Sequence, residues 1–147
     1  LAALMLGTTL TPTQAGWIRH VDDGVAISGA VEAAAVTAAS GTLVKSDDLD
    51  IRPVVSFVAN DKRECREIHV RDREMAARLV ACRDIAHDEW CIEAFATMPL
   101  NDFPENYHTA GAKKDPVIDA ALARLGVRET LDENGENAAI ARKWHPR

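Results

Sequence analysis

The period of apolar positions changes along the chain, and the changes mark the elements. From Val25 to Ala39 the chain is alanine-rich, with Val31, Ala34, Ala35 and Ala38 at helical spacing. This predicts an N-terminal helix that ends near Ala39, with Gly41 placed to close it and Gly29 marking a start just beyond itself. After the polar Ser46-Asp47-Asp48 the period shortens to two. Residues 53–59, 64–71, 75–83 and 90–97 read as four strands, joined by polar turns at Asn60–Arg63, Asp72–Glu74 and Asp84–Glu89. Residues 101–114 are irregular and polar. Helical spacing then returns: Val117, Ile118, Ala121, Leu122 and Leu125 form one stripe, with Asp115 as N-cap, Pro116 in the first turn and Gly126 past the end. Asp132 caps a last helix running to Lys143, and Trp144 is placed to anchor it to the sheet.

The fold class expected is α+β: a four-stranded antiparallel meander packed by an N-terminal helix and two C-terminal helices. Residues 25–147 form a single domain in this reading. Residues 1–24 form an apolar membrane or export remnant and a linker, with breakers at Thr11-Pro12-Thr13 and Asp22-Asp23-Gly24. The run Leu1–Leu10 is apolar and uncharged, but a spanning helix needs roughly 20 such residues. It fits the outer end of a cut transmembrane helix, the apolar region of an export signal with Thr13-Gln14-Ala15 as a poor cleavage site, or a buried N-terminal segment.

The meander brings the three cysteines together. With Arg73 and Glu74 centring one turn, Cys65 faces Cys82; with Ala86 and His87 centring the next, Cys82 faces Cys91. Directly opposed residues share a sheet face with Cβ atoms roughly 4.5–5.5 Å apart. A disulfide needs roughly 3.5–4.5 Å, so a non-hydrogen-bonded pair suits it best. Cys82 on the central strand is open to either neighbour but not to both. The same register sets Ile68 beside Leu79, Leu79 beside Ala94 and Ala81 beside Ile92, one apolar face for the helices to cover. The opposite face, with Glu67, His69, Arg78, Glu93 and the cysteines, is expected to be wetter, although Val80 and Phe95 also fall on it.

Composition narrows the function classes. With 147 residues and 47% hydrophobic positions, the chain supports one core. A net charge of −6 and a pI of 5.3 argue against a general nucleic-acid binder, which needs a basic surface. Cys82, His87 and Cys91 have spacing that suggests zinc, but a fourth ligand has no evident source, so no metal is expected. Glu64, Glu67, Asp72 and Glu74 are read as a solvated acidic face rather than acid–base groups. His108 and His145 lie in polar segments, Ser40-Gly41 lacks a nucleophile-elbow context, and no phosphate loop is present. The expectation is a non-enzyme with no cofactor and no catalytic residue.

A resemblance adds to this. Ser40-Gly41-Thr42, the run Pro53–Phe57, Cys65-Arg66-Glu67, Ala81-Cys82-Arg83 and Trp90 resemble the extracytoplasmic, C-terminal portion of membrane-anchored bacterial anti-sigma factors. The Cys-Arg-Glu, Ala-Cys-Arg and Trp pattern is also similar to the C-terminal domain of bacterial surface-antigen lipoproteins. Asp115-Pro116, Ala120-Ala121-Leu122, Leu131-Asp132, Glu136 and the ending Ala139–Trp144 resemble the closing helices of the first family, so the likeness spans residues 25–144. It departs from that family at His87-Asp88-Glu89, where a glycine-rich turn is usual, and at Cys91, where no cysteine is expected.

The resemblance implies a disulfide between Cys65 and Cys82, and Cys91 as an extra thiol beside it that is a candidate for redox exchange. It implies a non-catalytic sensory or regulatory domain on the periplasmic side of the inner membrane, held there by an N-terminal anchor. Its partner would be an unidentified periplasmic signal or protein. The sigma factor would be met only through a cytoplasmic segment that this chain does not contain. The second likeness implies instead a secreted or lipid-anchored domain with a binding or envelope-structural role.

Overall fold

The computed structural model describes residues 16–103 and 115–146. The apolar run Leu1–Leu10 and His108 lie outside the described residues. The four expected strands are present as β4 (Leu49–Ala59), β5 (Glu64–Arg71), β6 (Ala76–Asp84) and β7 (Glu89–Met98). They form the expected antiparallel meander, but four more strands extend it to eight. These are β1 (Ile18–Val21), β2 (Gly24–Ile27), β3 (Val44–Ser46) and β8 (Val127–Thr130). The sheet runs β1-β2-β7-β6-β5-β4-β3, and β8 pairs with the far half of β4.

The sheet therefore begins at Ile18, inside the stretch read as a linker. Asp22 and Asp23 make the two-residue turn of a β1–β2 hairpin, in which Val21 faces Gly24. Val25–Ile27, which opens the alanine-rich run ahead of the helix, is strand, and Ala26 lies opposite Cys91 on β7. The helix that follows, α1, is Gly29–Thr37 and stops two residues short of the expected end. Two side chains from distant elements satisfy carbonyls of its last turn. Arg66 Nη1 donates to Ala35 O at 2.7 Å, and Trp144 Nε1 donates to Val36 O at 3.0 Å.

The C-terminal elements follow the capping signals closely. In α2 (Pro116–Leu125) the Asp115 carboxylate accepts from the N–H groups of Val117 and Ile118. Gly126 ends the helix at φ 71°, where its lack of a Cβ leaves room for the Asn60 side chain. In α3 (Glu133–Ala141) Asp132 accepts from Gly135 N at 2.8 Å. That helix ends at Ala141 rather than Lys143.

The helices divide between the two faces of the sheet. Val31, Ala34 and Ala35 of α1, with Ala139 and Trp144 from the α3 region, pack on Ile51, Ile68, Leu79, Ala81 and Trp90. Ile118 and Leu125 of α2 pack on Phe57, Ala59, Cys65, Val80 and Cys82. The cysteine face is thus a second buried layer, not the wetter one expected. A bulge on β7 explains another difference. Ala81 faces Ile92 as expected, but Val80 faces Ala94, so Leu79 lies opposite Phe95 rather than Ala94. The bulge moves Phe95 onto the α1 side, where it packs against the core and lies 6.2 Å from Trp17.

Candidate functional site

The expected row of cysteines is present: Cys65 lies opposite Cys82, and Cys82 opposite Cys91. Cys65 and Cys82 are bonded, with their Cα atoms 4.0 Å apart, and both are fully buried beneath α2. Antiparallel geometry explains the choice of partner. A strand residue turns its N–H and C=O toward the same neighbour, so it is closely spaced with one neighbour and widely spaced with the other. The narrow spacing lies on the Cys65 side, which leaves Cys91 across the wider one.

Cys91 is a free, partly exposed thiol. Its Sγ lies 3.7 Å from Glu89 Oε2, to which it donates. Burial, then the nearby charges of Glu89, Asp84 and Glu93, push this thiol up to about 11. Exchange with the neighbouring disulfide proceeds through the thiolate, and this environment keeps the thiolate scarce at neutral pH. Cys91 stands opposite Cys82 in register, but across the wider spacing, and its electrostatics oppose a redox-exchange role.

Beyond the cysteine row the β6–β7 hairpin closes through a four-residue turn at 85–88. Asp84 lies opposite Glu89 on the two strands, and Asp88 closes the turn in the left-handed region at φ 52°. Asp84, Glu89 and Cys91 each offer a ligand atom, and these atoms lie within 4.8 Å of one another. His87 Nδ1 is 2.8 Å from Asp84 Oδ2. That hydrogen bond holds the Asp84 carboxyl below its usual range and the His87 imidazole above its own. The β1–β2 hairpin forms the opposite wall with Arg19, His20 and Asp22, enclosing an open concavity of about 360 Å³. The zinc grouping considered from spacing is not assembled, because the Cys82 sulfur is committed to Cys65. Asp84 and Glu89 stand near Cys91 instead, and neither was singled out from the sequence.

A second cluster sits in the interior under α1 and α3. Glu136 accepts from Ser40 N at 2.7 Å, from the Ser40 and Ser56 hydroxyls at 2.5 Å each, and from Arg66 Nη2 at 3.2 Å. The Arg66 side chain is wholly buried, and its guanidinium also stacks over Trp144 at 5.1 Å. Burial lowers Arg66 to about 10 even against the pull of Glu136. For Glu136, burial pushes upward, but the Ser40 and Ser56 hydrogen bonds and the Arg66 charge hold its carboxyl below the usual range. Every group in this cluster is satisfied by another, and its members come from three strands and helices and the loop after α1. It is a brace for the fold, and the Ser40 hydroxyl is engaged in it.

The acidic residues read as a solvated face are not all solvated. Glu64 makes a two-pronged ion pair with Arg142, the shorter arm being 2.6 Å, and Glu67 lies 2.9 Å from His69 Nε2. Both carboxylates are largely buried. Asp72 accepts from Glu74 N and Met75 N and shapes the β5–β6 turn. At His145 it is the backbone carbonyl that is engaged, accepting from Arg142.

No protein-family model, curated protein or solved structure gives a match to this chain. Among the described residues, no helix is long and apolar enough to cross a membrane.

Proposed function

We propose that this chain is a non-catalytic sensory or regulatory domain of the membrane-anchored anti-sigma-factor kind, working on the periplasmic side of the inner membrane. One observation carries most weight. The Cys65–Cys82 disulfide joins adjacent central strands and is fully buried. Structural disulfides of this sort form and persist in oxidising compartments, and the periplasm is one. The residues that carry the family resemblance also have structural work here. Arg66, Glu136, Ser40 and Trp144 meet in the brace that joins α1 and α3 to the sheet. A domain stapled and braced in this way presents fixed hairpin ends to its surroundings. It is suited to recognising a signal or protein partner by shape and charge. Contact with a sigma factor would fall to a cytoplasmic segment outside these residues.

The test uses the full-length gene in its own cells. Alkylation of intact cells, followed by non-reducing peptide mapping, should recover Cys65 linked to Cys82. Deleting the domain while keeping the anchor should change transcription from the promoters of the cognate sigma factor. A reduced pair in growing cells would refute the extracytoplasmic placement. An oxidised pair with unchanged transcription would refute the regulatory role in favour of a surface-antigen-like binding or envelope-structural one.

A further inference from the structure

We infer that a cleft at one end of the sheet binds a small organic phosphate, with the phosphate on cationic side chains and the organic part on an apolar wall. The inference is independent of the regulatory role. Four separate parts of the chain converge there: the β4–β5 turn, the end of β6, strand β8 and the segment after α3. They enclose a cavity of about 580 Å³, a size usual for small-molecule sites. The whole chain carries a net charge of −6, yet five of its 17 lysines and arginines line this one cavity: Lys62, Arg63, Arg83, Arg128 and Arg142. Three carboxylates share it, those of Asp61, Glu64 and Glu129, so the lining holds a surplus of two positive charges. A phosphomonoester carries about −1.5 to −2 at pH 7 and matches that surplus, whereas a single carboxylate does not.

The cations divide into matched and unmatched. Arg63 is held by Asp61 and Glu93, and Arg142 by Glu64. Lys62 and Arg128 are exposed and make no side-chain hydrogen bond or ion pair among the described residues. Arg83 is the more telling group, because its side chain is only 5% exposed. Its Nη2 donates to Asp88 at 2.8 Å, but its Nε is shut off from water and has no acceptor. Directly opposite on β7, the buried indole N–H of Trp90 also lacks an acceptor, and the Arg83 guanidinium lies over that ring at 5.6 Å. Buried N–H donors almost always have an acceptor. Two orphans on facing residues, one of them lining a cationic cavity, call for an oxyanion or a water.

The geometry of the donors favours phosphate. The planar fork of an arginine matches two phosphate oxygens at once, and a lysine adds a point charge. Val58, Ile85 and Pro146 line the same cavity and offer the organic part an apolar surface, Ile85 being 48% exposed. Glu129 has no side-chain partner among the described residues, and its charge opposes the ligand. Binding is non-covalent, so no bond is made or broken.

The experiment titrates the folded, disulfide-intact chain at pH 7 and low salt with butyl phosphate, inorganic phosphate and butyrate, followed by ¹H–¹⁵N NMR. The expected result is saturable movement of the Arg83 Nε–H and Trp90 indole signals with butyl phosphate, weakening as salt rises. Butyrate should bind at least about tenfold more weakly, for want of charge and of the third oxygen. Inorganic phosphate should also bind more weakly than butyl phosphate, because it has no apolar stem. The double variant Lys62→Ala with Arg128→Ala should keep the fold, since neither side chain has a partner, and lose at least about tenfold in affinity. Glu129→Gln should tighten binding by about twofold to fivefold. Orphan N–H signals that stay unmoved up to about 10 mM butyl phosphate would leave those donors to water and overturn the inference. Equal affinity for butyrate and butyl phosphate, or a double variant that binds as well as wild type, would overturn it too. Inorganic phosphate binding as tightly as butyl phosphate would overturn the organic class of the ligand.

Discussion

Removing the Glu136 carboxylate should be among the most damaging single changes in this fold. In the native chain it balances a guanidinium that has no exposed side-chain surface. Glu136→Ala leaves Arg66 with Ala35 O, the Ser56 and Ser40 hydroxyls and the face of Trp144, all of them neutral. It also removes the acceptor for Ser40 N and for two hydroxyls. Breaking a buried pair from one side costs about 3–5 kcal/mol, mostly because a charge stays buried without its partner. With a urea slope of about 2 kcal/mol per molar, the unfolding midpoint should fall by about 1.5–2.5 M. The control is the double variant Arg66→Met with Glu136→Leu, which removes both charges and should recover much of the loss. The pH dependence has a definite sign. The folded carboxyl titrates below its ordinary 4.5, so its contribution is full above that value and disappears as pH falls through the lower folded one. The gap between wild type and Glu136→Ala should therefore narrow in acid. A loss under about 1 kcal/mol at pH 7, or a double variant no better than the sum of the singles, would refute the claim that this pair is strongly coupled.

The cysteines give two further expectations. Replacing Cys65 and Cys82 together by alanine should cost about 3 kcal/mol, the loop-entropy value for cysteines 17 residues apart, measured by urea unfolding at fixed pH. An unchanged midpoint would mean that the meander holds without its staple. Cys91 should alkylate slowly at pH 7 and faster by about tenfold per pH unit toward about 11, because only the thiolate reacts. A rate that levels off by about pH 9 would contradict the electrostatic environment assigned to it.

The centre of the sheet was legible because its strands alternate and its turns are polar and short. Centring those turns was enough to oppose Cys65 with Cys82 and Cys82 with Cys91. Choosing the bonded pair needed the family likeness, since spacing alone left both neighbours open. The sheet edges were not legible, for identifiable reasons. Strands β1 and β2 have four residues each and meet at Asp22-Asp23, which resembles a connector. Ala26 and Ile27 continue the alanine-rich composition of the following helix. In β8 all four residues are exposed, so no apolar alternation announces it. The β7 bulge reversed the side of Phe95, an event that strict alternation does not anticipate. Arg66 gave a signal that went unused. It alternates with Ile68 and Val70, and an arginine in register with a core face calls for a buried acid.

The two charged clusters differ in how their charges are balanced. Arg66 and Glu136 are more deeply buried than Asp84, yet their charges are of opposite sign and three hydrogen bonds from serines complete the carboxylate. That arrangement is closed and has no use for a ligand. At the hairpin end two carboxylates oppose each other, and each has its own partner at the surface, Arg19 for Glu89 and His87 for Asp84. Local packing does not require this: an apolar pair opposite one another would close the hairpin with less repulsion. The Cys65–Cys82 bond also lies close to this hairpin end. By fixing β6 against β5, the bond holds Asp84, two residues further along, in the position from which it meets Glu89 and Cys91.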